Sequence, residues 1–435
     1  MDQLTVSGGA RLEGRLRAAG SKNAVLPLMA ACLLTDEPLV LNHVPDLRDV
    51  TTMSRILARL GVEVSREGDR LELQGQQDGP VEAPYDLVST MRASVCVLGP
   101  LVARRGAARV SMPGGCVFGV RPVDLHVKGL NALGADIKVD GGYLVSNVGR
   151  RLRGAEMYLG SRSGSSVLAT AQVLSSAVLA EGKTCIENAA MEPEITELCR
   201  LLLAMGAKIT GLGGHRLEVE GVERLHGAEH TVSGDRVEAG TFLTGAAMTG
   251  GDVTVDGVRP RSLTAVLETL AAMGAEVGSG PDWIRVQAAG PLRAVDVTTL
   301  PFPGFPTDLQ AQLMAALTGA DGISVVAERI FPDRFMHVAE FLRLGAQIRK
   351  EGPQAIVHGP ARLSGATVMA SDLRASAALV LAGLVAEGQT EVRRVYHIDR
   401  GYERIDERLR GLGATILREK QPDPDPSDLE SGASG

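Results

Sequence analysis

Six copies of one short phrase punctuate this chain and leave little freedom in its architecture. In each, an apolar helix runs into a glycine corner and out into a strand. The corners read Leu60-Gly61-Val62, Leu133-Gly134-Ala135, Met205-Gly206-Ala207, Met273-Gly274-Ala275, Leu344-Gly345-Ala346 and Leu412-Gly413-Ala414. Successive corner glycines stand 68 to 73 residues apart, longer than most solenoid repeats. Glycine there is what a helix needs to stop in a left-handed C-cap before the chain turns into a strand. One Leu-Gly-Ala means nothing; six at this spacing mark a repeated structural unit.

Each copy also carries an earlier helix. These open at Lys22-Asn23-Ala24, Arg92-Ala93-Ser94, Ser165-Ser166-Val167, Glu238-Ala239-Gly240, Asp308-Leu309-Gln310 and Arg374-Ala375-Ser376. They are rich in Ala, Leu and Val almost all round, as in 309–317 and 377–385. A helix apolar on every side is buried or spans a membrane, and these runs are too short and interrupted for a bilayer. A short strand follows each, such as Gln389–Val392 or Asp252–Val255, then a loop, the second helix and a hairpin. Hairpins are expected at 63–73 and, around Gly141-Gly142, at 138–145.

The order within a copy is therefore helix, strand, helix, strand, strand. Buried first helices and amphipathic second ones predict an α/β fold with helices packed inside sheets, the reverse of a doubly wound fold. Six units are too many for one core, so two domains of three copies each are expected. Their boundaries are placed at 21–232 for the first and 1–20 plus 233–420 for the second. The strand Gln3–Val6 would complete the second domain. The segment 421–435, built of Pro, Asp, Ser and Gly around Asp423, Asp425, Asp428 and Glu430, is expected to be a disordered acidic tail.

Composition excludes several classes. Trp283 is the single tryptophan, so the core is aliphatic. Residues 1–20 lack the basic start and apolar run of a signal peptide. The five cysteines, Cys32, Cys96, Cys116, Cys185 and Cys199, form no CxxC pair, which reads as a reducing cytoplasm. Net charge is −7 and basic residues are scattered, against a nucleic-acid surface.

Function is expected where copies diverge. The six first helices begin at equivalent places, so their N-termini should converge on the groove between domains. They carry Lys22, Arg92, Ser165 with Ser166, Arg236 with Glu238, Asp308 and Arg374. Ser and Asp are ordinary helix caps; Lys and Arg are not, and beside free N–H groups they make an anion cleft. The loops before the second helices add Cys116, Arg121, Glu192, Arg334 and Arg400. In copy two that loop reads Gly114-Gly115-Cys116-Val117-Phe118-Gly119-Val120-Arg121-Pro122. Glycines around the cysteine and an arginine five residues on mark a reactive thiol, whereas the other four cysteines read as buried small hydrophobes.

These residues resemble the enolpyruvyl transferase family over about residues 1–418. The resemblance rests on Gly20-Ser21-Lys22-Asn23, Thr90-Met91-Arg92-Ala93-Ser94, Pro113-Gly114-Gly115-Cys116, Arg121-Pro122-Val123-Asp124-Leu125-His126, Phe305-Pro306-Thr307-Asp308, Arg334-Phe335-Met336-His337, Asp372-Leu373-Arg374-Ala375-Ser376 and the run 397–403. Within the family it resembles the branch whose acceptor is UDP-N-acetylglucosamine, at the start of peptidoglycan synthesis. The resemblance implies a two-domain inside-out α/β barrel of six βαβαββ-type repeats. It implies transfer of the enolpyruvyl group of phosphoenolpyruvate to the sugar 3′-hydroxyl with release of phosphate. No metal, organic cofactor or obligate protein partner is implied.

The matching positions imply roles. Cys116 is the general acid at the phosphoenolpyruvate methylene, and Asp308 the carboxylate near the sugar hydroxyl. Lys22, Arg121 and Arg400 bind phosphoenolpyruvate, with Arg334 and Arg374 nearby. Asn23 and Asp308 contact the sugar. Arg92, Arg121, Pro122, Val123, Asp124, Leu125 and Ile330 face the nucleotide. The segment 160–170 departs from the family pattern: it is about three residues longer, and Leu168 stands at a usual glycine. There Arg162, Ser165 and Ser166 are assigned to the diphosphate. Two rival readings stay open: transfer to another acceptor, a free nucleotide or shikimate 3-phosphate, and a catalytically silent binding paralogue.

Overall fold

The computed structural model describes residues 2–112 and 123–420. Cys116, Arg121, Pro122 and the acidic tail lie outside the described residues.

All six corner glycines adopt positive φ, from 82° at Gly61 to 105° at Gly274. The residue after each donates its N–H to the carbonyl five positions back at 2.9–3.0 Å, for example Val62 to Leu57 and Ala414 to Leu409. This is a Schellman closure, which satisfies carbonyls that the helix end would otherwise orphan. The corner is also a packing point, since Leu60, Leu133, Met205, Met273, Leu344 and Leu412 are all buried.

The earlier helices are interior. In Leu373–Val385 every residue from Arg374 to Leu384 is buried, and in Gln310–Thr318 all are. The later helices are amphipathic: Arg48–Arg59 buries Asp49, Val50, Met53, Ile56 and Leu57, one stripe at helical spacing. The described residues form six four-stranded sheets, each with a parallel edge strand followed by antiparallel neighbours. Each copy thus reads βαβαββ, and its sheet covers the inner helix. The helices therefore lie inside the sheets, the inside-out α/β arrangement expected from the repeats. No described helix is long and apolar enough to cross a membrane.

Two hydrophobic cores form. One draws on residues between Ala24 and Val232, the other on residues between Leu4 and Ala18 and between Val237 and Ile416. Strand Asp2–Ser7 pairs with Gln389–Arg393 on one side and Thr415–Lys420 on the other, so the chain's start closes its last sheet.

The leading edge strands of copies one and four are exchanged. Glu13–Arg17 runs parallel to Asp252–Asp256 in the fourth sheet, while Ala228–Thr231 runs parallel to Leu39–Asn42 in the first. The chain must therefore pass between cores twice, and the two passages are stitched together. Gly20 bridges Gly234, Ser21 N–H donates to Ser233 O at 2.8 Å, and Asp235 N–H donates to Ala19 O at 2.7 Å.

Candidate active site

The inner helix starts differ in detail from the sequence expectation. Helix Lys22–Ala30 is capped by Ser21 and Arg236–Met248 by Asp235; Leu373–Val385 is capped by Asp372 and Val167–Ala177 by Ser166. Three of these caps stand just before the residues singled out for charge. The side chains of Lys22, Arg236 and Arg374 are thus left for other work. Asp308 is not in an α-helical first turn. It lies in the 3-10 turn Thr307–Leu309, after an extended Pro306 and ahead of Gln310–Thr318. Arg92 likewise opens a 3-10 turn, Arg92–Val97, and lies within electrostatic reach of buried His126.

Asp308 is the hub. Arg334 Nη1 donates to its Oδ1 at 2.8 Å, Arg374 Nη2 to its Oδ2 at 3.3 Å, and Asn23 Nδ2 to the same Oδ2 at 3.3 Å. Asn23 belongs to the first core's side and the other three to the second, so the carboxylate ties the halves across the cleft. Burial alone would push the Asp308 carboxyl up, but the Arg374 and Arg334 guanidiniums hold it well below the usual carboxylate range. Its side chain is 26% exposed, so the floor of the cleft is reachable. Arg374 is 1% exposed, and its Nε and Nη1 have no protein partner among the described residues.

A second carboxylate completes the pattern, one that the sequence reading missed. Asp49, 2% exposed on helix Arg48–Arg59, lies 3.1 Å from Lys22 Nζ and accepts from Arg400 Nε at 2.9 Å. Burial opposes its charge, yet Lys22 and Arg400 hold its carboxyl below the ordinary value. An acidic residue in the first turn of an amphipathic helix reads as complementing the helix dipole, so nothing local singles it out. Glu328 was missed too. Fully buried, it accepts from Thr299 Oγ1 (2.7 Å), Thr307 Oγ1 (2.9 Å), Ile330 N–H (2.8 Å) and Phe331 N–H (2.9 Å). It fixes the turn before Asp308 to the loop that carries Ile330.

A second ion pair crosses the cleft. Arg236 Nε and Nη2 meet Glu194 at 2.9 and 3.3 Å, and Glu192 accepts from Phe302 N–H at 3.4 Å. Burial pushes the Glu192 carboxyl up despite nearby Arg236.

The segment 160–165 folds as a small hairpin, Gly160–Ser161 with Gly164–Ser165, and places exposed Arg162 at its tip. Gly164 fits closely: a Cβ there would stand 2.7 Å from Pro301 Cγ. Arg162, Ser163 and Gly164 face Leu300, Pro301 and Ile330 across a cavity of about 790 Å³. Ser165 lies in the hairpin, and Ser166 caps the following helix, accepting from Ala169 N–H at 3.4 Å. Val123 precedes helix Asp124–Ala132, in which Asp124 is exposed while Leu125 packs into the core.

The structure thus brings Lys22, Asn23, Asp308, Arg334, Arg374 and Arg400 together around two carboxylates. It sets Arg162 and Ile330 on one neighbouring cavity. No group of three or more His, Cys, Asp or Glu among the described residues has the arrangement of a metal site.

Comparison with known proteins agrees with this fold. A family profile described as EPSP synthase (3-phosphoshikimate 1-carboxyvinyltransferase) matches residues 6–409. Among solved structures, the enolpyruvyl transferase NikO from Streptomyces tendae is similar with a TM-score of 0.86 at 24% identity, over 97% of this chain and 99% of that one. EPSP synthase from Acinetobacter baumannii is similar with a TM-score of 0.76 at 18% identity, over 97% of this chain and 100% of that one. At such identities the structures speak to the fold alone; the profile match covers most of the chain, and this protein belongs to the EPSP synthase family of enolpyruvyl transferases, which use phosphoenolpyruvate as substrate.

Proposed function

We propose that the chain transfers the enolpyruvyl group of phosphoenolpyruvate to the 3′-hydroxyl of UDP-N-acetylglucosamine and releases phosphate. The observation that carries this is the convergence of four cations, Lys22, Arg334, Arg374 and Arg400, on two carboxylates at a cleft between halves. A trianionic substrate needs such preorganised charge. The cavity beside Arg162 and Ile330 supports an acceptor that carries a nucleotide.

In this reading the sugar oxygen attacks C2 of phosphoenolpyruvate and its proton passes to Asp308. Cys116 delivers a proton to the C3 methylene, giving a tetrahedral ketal. In the elimination the Cys116 thiolate takes a proton back from C3, the C2–O bond to phosphate breaks, and the double bond is restored. Asp308 is a weak base while two arginines share it. The phosphate and carboxylate of bound substrate compete for those guanidiniums, and as they do so the carboxylate gains basicity. Arg121 adds to the phosphate site, and Arg162, Ser165 and Ser166 serve the diphosphate.

Phosphate release from phosphoenolpyruvate, followed in parallel with UDP-N-acetylglucosamine, UMP and shikimate 3-phosphate, tests the proposal. Turnover is expected with the nucleotide sugar. Turnover with UMP or shikimate 3-phosphate alone would reassign the acceptor, and none with any acceptor would leave the silent paralogue.

A further inference from the structure

Beneath the cleft, the aliphatic core of the second half holds a buried polar chain that the reaction scheme does not use. Gln312, Thr241 and Tyr402 are each no more than 1% exposed and come from three separate segments. Gln312 Nε2 lies 3.1 Å from the backbone oxygen of Asp308, 3.0 Å from Tyr402 Oη and 3.2 Å from Thr241 Oγ1. Tyr402 Oη lies 2.9 Å from Thr241 Oγ1, which itself donates to Val237 O at 2.8 Å.

Donor counting gives the chain a direction. Thr241 has one proton and spends it on Val237 O, so toward Tyr402 it accepts. Tyr402 therefore donates to Thr241. Burial pushes the Tyr402 phenol up, so it keeps that proton at neutral pH. The Asp308 carbonyl can only accept, which fixes the Gln312 amide with its nitrogen toward it. One amide proton then goes to Asp308 O and the other to Tyr402 Oη. The phenol is locked at both ends, and its ring lies 5.3 Å under the Arg374 guanidinium. A Cβ on Gly401 would meet Leu373 at 2.5 Å, so glycine there lets Tyr402 sit close beneath that helix start.

We propose that Tyr402, held by Gln312 and Thr241, is a positioning residue that sets the Arg374 guanidinium against incoming phosphoenolpyruvate. The same amide fixes the backbone of Asp308, so one buried chain registers both the anion ligand and the carboxylate. This rests on the reading of Arg374 as a phosphoenolpyruvate ligand. Gln312 Oε1 has no partner among the described residues, so the chain is held through the amide nitrogen and the two hydroxyls, and loss of one of those links is felt at the others.

Titration calorimetry of the whole chain with phosphoenolpyruvate and, separately, UDP-N-acetylglucosamine tests it, with Tm recorded for every variant. Tyr402→Phe is expected to weaken phosphoenolpyruvate binding about tenfold and leave the nucleotide sugar within about twofold. In an Arg374→Lys background the same change should have less than about a twofold effect, because Tyr402 acts through Arg374. Thr241→Val should weaken phosphoenolpyruvate binding in the same selective way, and Thr241→Ser, which keeps the accepting oxygen, should restore it; this pair stands in if Tyr402→Phe fails to fold. Equal weakening of both ligands, additivity with Arg374→Lys, or a lowered Tm with unchanged affinities would overturn the proposal. A wild-type chain that binds no phosphoenolpyruvate would instead remove the reading of the cleft, a separate result.

Discussion

Arg400, from the second half of the molecule, donates from Nε to Asp49 Oδ1 of the first half at 2.9 Å. The same buried carboxylate faces Lys22, so one acidic side chain holds two of the cations assigned to phosphoenolpyruvate. In chemical terms Asp49 occupies the place of an anion between the halves.

Asp49→Asn should therefore make stability depend on phosphate. Removing one partner of a buried pair leaves the others uncompensated, a loss of several kcal/mol when all are buried. Arg400 is 31% exposed, which screens its share, so about 1–3 kcal/mol is expected. Thermal melts with and without inorganic phosphate check it: the variant should melt lower, and phosphate should raise its Tm more than it raises that of the wild type. Equal phosphate responses would count against the role.

Asp308→Asn should keep the fold and lose turnover by about 10²-fold or more, the scale of general-base catalysis. In the substrate-free enzyme, which kcat/KM reads, its ion pairs with Arg334 and Arg374 make the carboxyl hard to protonate, so acid should not lower kcat/KM through this group until well below its ordinary range. The linked stability has the same sign: present above the unfolded carboxyl value and lost as pH falls toward the depressed folded one. Phosphate-release assays and circular dichroism on the folded variant decide it, and near-wild-type turnover would exclude the base role.

The inward-facing helices were legible because they break the ordinary amphipathic pattern over whole turns. The corners were legible because a left-handed C-cap makes a local demand that glycine meets. The edge strands were not: Glu82–Ala83 and Val297–Thr298 are two residues long and carry no periodicity. The exchange of Glu13–Arg17 and Ala228–Thr231 between sheets rests on partners more than 180 residues distant. At the site, the cations Lys22, Arg334, Arg374 and Arg400 stood out as unusual for helix starts and loops. Their carboxylate partner Asp49 did not, since an acidic first turn is common, and Tyr402 and Gln312 have meaning only through tertiary contacts.

Glu238 gives a pH signature at the interdomain passage. It is 1% exposed, accepts from Ala19 N–H at 2.7 Å and lies 3.1 Å from Arg408 Nη1. Burial, only partly offset by Arg408 and the Ala19 N–H and aided by Asp235 and Glu403, pushes its carboxyl up to about 7. A carboxyl raised on folding stabilises most below its unfolded value, and that contribution is lost as pH rises through the folded one. Neutral buried His126 and His337, both lowered to about 4, act with the opposite sign over much of this window. The difference between wild type and Glu238→Gln is therefore the quantity to measure. Wild-type Tm minus variant Tm should fall as pH rises from about 5 to 8. A flat difference would show that Glu238 does not titrate in this range.

Thiol chemistry separates Cys116 from the other four cysteines. Cys32, Cys96 and Cys199 are buried, and burial pushes the Cys96 and Cys199 thiols up to about 12 and Cys32 higher still. Cys185 is half-buried, and burial again raises its thiol despite Arg216. The thiolate is the reactive form, so three of these should be inert and Cys185 slow. Cys116, with glycines on both sides and Arg121 five residues on, is expected to be the one fast-labelling thiol. The nucleotide sugar should speed that labelling if it completes the anion site. Iodoacetamide followed by peptide mapping reads this directly. The family resemblance adds a second probe, the epoxide phosphonate fosfomycin, expected to alkylate the same residue. Cys116→Ser should abolish fast labelling and cut phosphate release sharply. Cys116→Asp should retain activity, since a carboxyl also delivers a proton, yet resist the epoxide. Fast label on Cys185 with Cys116 unmodified would overturn the assignment of the general acid.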